Sequence, residues 1–246
     1  MSGLDNSPIL EAVCEFRFPK DTEWTEDLPS ILYDKLKGEF PNKEEKKGHM
    51  VRVTADENGV ERPNVCPIHS NIFLNSDRTI LIQIFSRRIS INCLRPYPSW
   101  EVFRQKIDLV FQQLRETVEI KEIERIGLLY VNKIEIEKKT VDMEEYFTFY
   151  PHLSPELPQV FGGFLVGCEF PYNNEQEFAK LEITKTVPSK KDANAFLLRV
   201  DYHTAPNHGV GPSAAMEWIE NAHIEVKKLY NGSITEKTRE LCREVK

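Results

Sequence analysis

Laid over itself at an offset of 115 residues, the chain repeats its apolar pattern: Leu28, Ile31 and Leu32 fall on Met143, Tyr146 and Phe147, and Phe103, Ile107, Phe111 and Leu114 fall on Trp218, Ala222, Val226 and Leu229. Two amphipathic helices can always be slid into register, so the order of elements carries more weight than these matches. By periodicity, each half runs strand, helix, several antiparallel strands and a long closing helix. That order constrains the chain to an α+β fold of two related units, 1–120 and 121–246, packed as one body. Together they are expected to form a mostly antiparallel sheet backed by helices.

The individual segments follow from local pattern. Residues 9–18 alternate, with Ala12, Cys14, Phe16 and Phe18 on one side and Val13, Glu15 and Arg17 on the other, and Pro19 ends the strand. A helix is expected over 24–40, stopped by Pro41. Residues 42–79 are polar and broken by Gly and Pro; short strands are expected near 50–54 and 71–74, and the run NKEEKK reads as a solvated turn. Strands 79–85 and 88–94 make a hairpin about Ser86-Arg87, and Ser99 caps a helix whose stripe runs from Phe103 to Val118. The second half gives a strand at 125–136, a short helix at 142–150, a Pro-rich loop at 151–158, strands at 163–170, 177–187 and 195–204, and a helix at 213–230. Ser233 and Glu236 form a capping box for a last short helix. Strand 125–136 is apolar on both sides at first, so the Pro-rich loop or a partner is expected to cover its second side.

Composition narrows the function classes. The chain carries 32 Lys+Arg against 39 Asp+Glu, a net charge of −7, which disfavours nonspecific nucleic-acid binding without excluding a local basic patch. No apolar run approaches the roughly 18 residues of a membrane span, and no signal-peptide pattern opens the chain, so a cytoplasmic protein without membrane contact is expected. The cysteines are scattered, and Cys66 with His69 is a lone C-x-x-H pair with no second pair at zinc spacing. No nucleophile elbow, phosphate loop, zincin or kinase signature occurs. In the one Gly-rich run, Gly209 to Ser213, Pro212 removes an N–H that a phosphate cradle would use. No cofactor and no metal are expected, and the balance leans away from an enzyme.

An antiparallel sheet backed on one side leaves a second face, and its polar positions Glu15, Arg17, Asn92, Arg199, Asp201 and His203 are candidate binding residues; Asn132, within an otherwise apolar strand, is a candidate too, marking either a buried hydrogen bond or a contact site. Arg199, Asp201 and His203 are sharpest, because period-two spacing puts a cation, an acid and an imidazole on one side of one strand. Ordinary cross-strand ion pairing on a solvated face is the competing explanation. Three readings stay open. The favoured one is a noncatalytic component contacting another protein or an anionic ligand through the open face, with Arg17 and Arg199 in one patch. The second is a nucleic-acid module using Arg17, Arg87, Arg88, Lys185 and Arg199. The third is an enzyme with a dispersed site around Asp201 and His203.

The order of elements resembles the duplicated fold of the TATA-binding protein. At the level of residues, the segments SPILEAVCEFRFP, YPSWEVF and RIGLLYVNKIEI, and the closing Trp218, Ala222 and His223 followed by SITE, resemble a sporadically distributed, largely uncharacterised prokaryotic protein family. That resemblance implies a setting in defence or toxin–antitoxin neighbourhoods and brings no catalytic residues with it.

Overall fold

Alternation in Ile9–Arg17 (β1) seats the sheet: Ala12, Cys14 and Phe16 are fully buried on one side, leaving Val13, Glu15 and Arg17 on the other. The structure, a computed structural model, describes residues 7–55, 61–159 and 162–243, with side chains described outside 48–69 and 243. The other strands are Asn42–Ala55 (β2), Glu61–Leu74 (β3), Ile80–Phe85 (β4), Arg88–Leu94 (β5), Arg125–Ile136 (β6), Leu165–Tyr172 (β7), Glu177–Thr186 (β8) and Asn194–Thr204 (β9). The helices are Leu28–Leu36 (α1), Trp100–Arg115 (α2), Ala215–Ser233 (α3) and Glu236–Arg243 (α4). All nine strands join one antiparallel sheet in the order β2-β3-β4-β5-β1-β6-β9-β8-β7, so the fold is α+β. From the central β1–β6 pair, one arm runs outward through β5, β4, β3 and β2, the other through β9, β8 and β7.

Helices cover one side of this sheet. The stripe in α2 buries Phe103, Ile107, Val110, Phe111 and Leu114, and α3 buries Ala215, Ile219, Ala222 and Val226. Ser99 caps α2 as expected, its hydroxyl accepting from the Val102 N–H at 3.3 Å. Phe16 stacks on Phe111 with ring centroids 4.8 Å apart, tying β1 to α2. Phe103 is fully buried, whereas its counterpart Trp218 is only partly so, because its indole N–H reaches outward to Glu177.

Several local expectations need correction. The segment 142–150 makes only a 3-10 turn, Met143–Glu145. Its backbone is drawn off the helical ladder by the end of α3: Thr148 N–H donates to Ser233 O and Thr235 N–H to Tyr146 O. Ser233 is no cap either; it ends α3, and its hydroxyl donates to Leu229 O at 2.6 Å, one turn back. The run NKEEKK is no turn but the start of β2, in a long hairpin with β3. Pro63 and Pro67 are tolerated in β3 because β4 pairs only with Asn71–Leu74, leaving β3 a free edge farther out. Cys168 lies exposed on the edge strand β7, whereas Cys14 and Cys93 are buried. The side chains of Cys66 and His69 lie outside the described residues. The Pro-rich loop follows Phe149 and Tyr150, which pack on the helix-side core, and Leu157 within it is 52% exposed.

A polar chain crosses the helix-side core where the arms meet. Tyr97 and Tyr130 hydroxyls lie 3.0 Å apart, Tyr130 reaches His223 Nδ1 at 3.3 Å, and the His223 ring stacks on Trp100 at 4.0 Å. Burial holds His223 below its ordinary value of 6.5, against the pull of Glu220. The unfolded chain therefore takes up this proton first, so the group leaves stability unchanged well above 6.5 and erodes it as pH falls through 6.5. The melting temperature should drop between neutral and mildly acidic pH by more in the wild type than in His223→Gln. Equal drops in denaturation scans would show that this imidazole does not couple to folding.

Candidate functional site

Register places the open-face residues in rows across the strands. At one end Arg88, Arg17 and Arg125 stand directly opposite one another on β5, β1 and β6. The next row inward is Ser90, Glu15, Gly127, His203 and Phe178, and the next is Asn92, Val13, Leu129, Asp201 and Lys180. Like charges directly opposite repel, so the three guanidiniums need compensation. Glu15 supplies it to all three: its carboxylate lies 2.6 Å from Arg17 Nε, 3.1 Å from Arg125 and 3.7 Å from Arg88.

Gly127 makes the central contact fit. A Cβ there would stand 2.9 Å from the Arg125 guanidinium, which lies across the bare strand position to span Glu15 on β1 and Asp201 on β9, the latter at 3.5 Å. Burial lowers Arg125 from its ordinary value, with Asp201 and Glu15 opposing and Arg17 adding to the shift. For Asp201, burial pushes the carboxyl up, but His203, Arg125 and Arg199 together bring it below the usual range, so it stays ionised near neutrality. His203 Nδ1 sits 3.7 Å from Asp201, too long for a hydrogen bond, and is buried without another partner. Phe85 lies under the Arg88 guanidinium at 4.0 Å, and the Phe178 ring is 6.4 Å from that of His203.

The candidates expected on this face, Glu15, Arg17, Asn92, Arg199, Asp201 and His203, are there. Asn132 takes the first of its two alternatives, a buried hydrogen bond: alternation turns it to the helix side, where it is 3% exposed and its amide donates to Leu198 O at 3.2 Å. Its role is to satisfy a buried carbonyl. Asn92 is also buried, its amide donating to Glu11 at 2.7 Å while its Oδ1 has no partner. Arg17 and Arg199 do not share a patch. Arg17 faces Arg125 and Arg199 faces Val131, six residues along β6, or roughly 20 Å at the usual strand rise. Arg199 instead joins Glu182 at 3.3 Å, which also holds Lys180 at 2.7 Å. Lys185 pairs with the buried Phe196 and so points to the helix side, away from the other cations.

Arg125 and Gly127 escaped the sequence reading. Nothing local marks them, since Arg125 and Glu15 are 110 residues apart and meet only through the β1–β6 register. Among the described residues, no three His, Cys, Asp or Glu side chains gather as a metal site requires, and no helix is long and apolar enough to cross a membrane. No family model matches the chain, and no curated protein matches it.

Proposed function

We propose that this protein is a noncatalytic binding component that engages an anionic segment of a partner protein through its open sheet face. The observation that carries the reading is the row Arg88, Arg17 and Arg125, in which three cationic side chains stand side by side and share one carboxylate, Glu15. An incoming carboxylate or phosphate would complete their compensation through paired N–H donors. The row stands out against a chain whose net charge is −7. The common order of the two sheet arms supports an internal duplication like that of the TATA-binding protein, and the family resemblance alone suggests a defence-like setting.

A second reading, single-stranded nucleic acid, draws on Phe85 beside Arg88 and Phe178 beside His203, since aromatic rings among cations are what bases stack on. Fluorescence anisotropy with a labelled oligoglutamate peptide and a labelled single-stranded oligonucleotide separates the two. The peptide should bind in a salt-sensitive manner and lose at least about tenfold on Arg17→Glu, a change equal to about 1.4 kcal/mol. Arg17 is 47% exposed at its side chain, so that reversal should leave the melting temperature nearly unchanged. Arg199→Glu, which lies outside the row and breaks the Glu182 pair, should leave peptide binding intact. Binding confined to the oligonucleotide selects the second reading, and binding of either probe unaffected by Arg17→Glu ends the proposal for this row.

A further inference from the structure

A cavity of about 460 Å³ opens on the helix side, the opposite face of the sheet from the arginine row, between the β7–β8 turn, β9 and α3. Its wall carries Tyr172, Tyr202 and Trp218. The Tyr172 and Tyr202 rings meet edge-on at 5.2 Å, and Tyr202 and Trp218 are tilted at 5.8 Å. Between them stands Glu177, the first residue of β8. Its carboxylate accepts from the Tyr202 hydroxyl at 2.5 Å, from the Trp218 indole N–H at 2.6 Å and from the Asn173 amide. All three donors are neutral, and no Lys, Arg or His bridges Glu177 among the described residues. The carboxylate is thus held rigidly in a partly enclosed site with its charge uncompensated.

Glu225 and Lys228, one turn apart on α3 and paired at 2.6 Å, both stand at the rim and offset each other, so Glu177 carries the net charge of the site. Burial raises both tyrosines above their ordinary values, with Glu225 adding to it against Lys228 at Tyr172 and the bond to Glu177 adding to it at Tyr202, so each is a neutral phenol. Neutral aromatic rings present electron-rich faces, which attract cations most when water is excluded. The volume falls within the range of small-ligand pockets.

We propose that this cavity binds a quaternary ammonium headgroup. Charge and ring faces call for a cation, and the hydrogen bonding narrows which one. Three of the four acceptor positions on the Glu177 carboxylate are already filled. A primary amine would bring N–H donors with little left to receive them and would lose its hydration. A trimethylated nitrogen needs no hydrogen bonds and is recognised by charge and aromatic contact alone. A free choline-like molecule and a trimethylated lysine side chain both present this group.

Isothermal titration with choline, with a peptide containing trimethyllysine, with ethanolamine and with 3,3-dimethylbutan-1-ol tests the assignment. The third removes the methyl groups, and the last keeps the shape of choline without the charge. At least one trimethylated probe should bind, and ethanolamine and the alcohol should each bind at least about tenfold more weakly than choline, or not at all where only the peptide binds. Binding of choline locates the source in a free headgroup, and binding of the peptide alone locates it in a protein side chain. Glu177→Gln should weaken the bound probe at least about tenfold. If that variant does not fold, Glu225→Gln, at the rim, should weaken it several-fold with an unchanged melting curve. Binding of neither trimethylated probe, equal binding of choline and the neutral alcohol, equal binding of choline and ethanolamine, or insensitivity to the folded variant overturns the proposal.

Discussion

Phe103→Ala should lower the unfolding free energy by about 3–5 kcal/mol, the largest loss expected from any single change argued for this protein. The side chain is fully buried in the first turn of α2, with the Tyr97 ring at 6.1 Å and the Trp100 ring at 6.3 Å. Its neighbours cannot close over the void. Tyr97 is tethered through its hydroxyl to Tyr130, and Trp100 is stacked on His223 and bonded to Glu220 through its indole N–H at 3.1 Å. A cavity that cannot collapse keeps its full cost. Phe103→Leu, which keeps most of the volume, should cost markedly less. Urea denaturation of the two variants measures both, and an Ala variant within about 1 kcal/mol of the wild type would mean that α2 can shift to refill the space.

The second large effect has opposite signs for folding and binding. Glu15→Gln removes the carboxylate that Arg17, Arg88 and Arg125 all face and leaves, among the described residues, only Asp201, beside Arg125, to offset the three guanidiniums. Glu15 is 19% exposed at its side chain, so solvent screens the repulsion only in part. Loss of the charged hydrogen bonds to Arg17 and Arg125 should destabilise the protein by about 1–3 kcal/mol at low ionic strength. Added inorganic phosphate or salt should return part of that, and affinity for the oligoglutamate probe should rise. Denaturation at two ionic strengths, paired with anisotropy, reads both quantities. Unchanged stability at low salt would show that the row is already relaxed without its carboxylate.

How much of this was legible before the structure depends on the range of the interaction. The stripe of α2 and its cap at Ser99 were readable because every partner lies within a few turns. The hairpin about Ser86-Arg87 was readable too, and Arg87, the second of its two turn residues, adopts a positive φ of 52°. Residues 142–150 misled because their periodicity is real: Tyr146 and Phe147 are buried as a helix would bury them and their N–H groups still donate to Met143 O, yet the next bonds leave the ladder, Tyr146 O accepting from Thr235 and Thr148 N–H donating to Ser233 O. Ser233 misled because α3 runs on through it: the residue is the last of that helix, its hydroxyl donates back to Leu229 O, and α4 begins only at Glu236. At the site, period two correctly put Glu15, Arg17, Asp201 and His203 on one face. Period two, counted along 125–136, would also have turned Asn132 inward beside Leu128 and Tyr130. What periodicity cannot supply is register between strands distant in the chain, and register is what gathers Arg88 and Arg125 around Glu15.

The central position of β1 bears on how the chain is made. Both edges of this strand are occupied in the finished sheet, by β5 on one side and β6 on the other. During synthesis the first arm can close as soon as Leu94 has emerged, but the strand that seals the other edge of Ile9–Arg17 ends at Ile136, 42 residues later. At ordinary elongation rates that interval is roughly 2–8 s. For those seconds the nascent chain offers an unpaired, half-apolar edge of nine residues to anything nearby, including the same edge on a neighbouring ribosome. A lower growth temperature or a chaperone that shields this edge would therefore act on yield, even though both edges of the strand are paired in the finished protein.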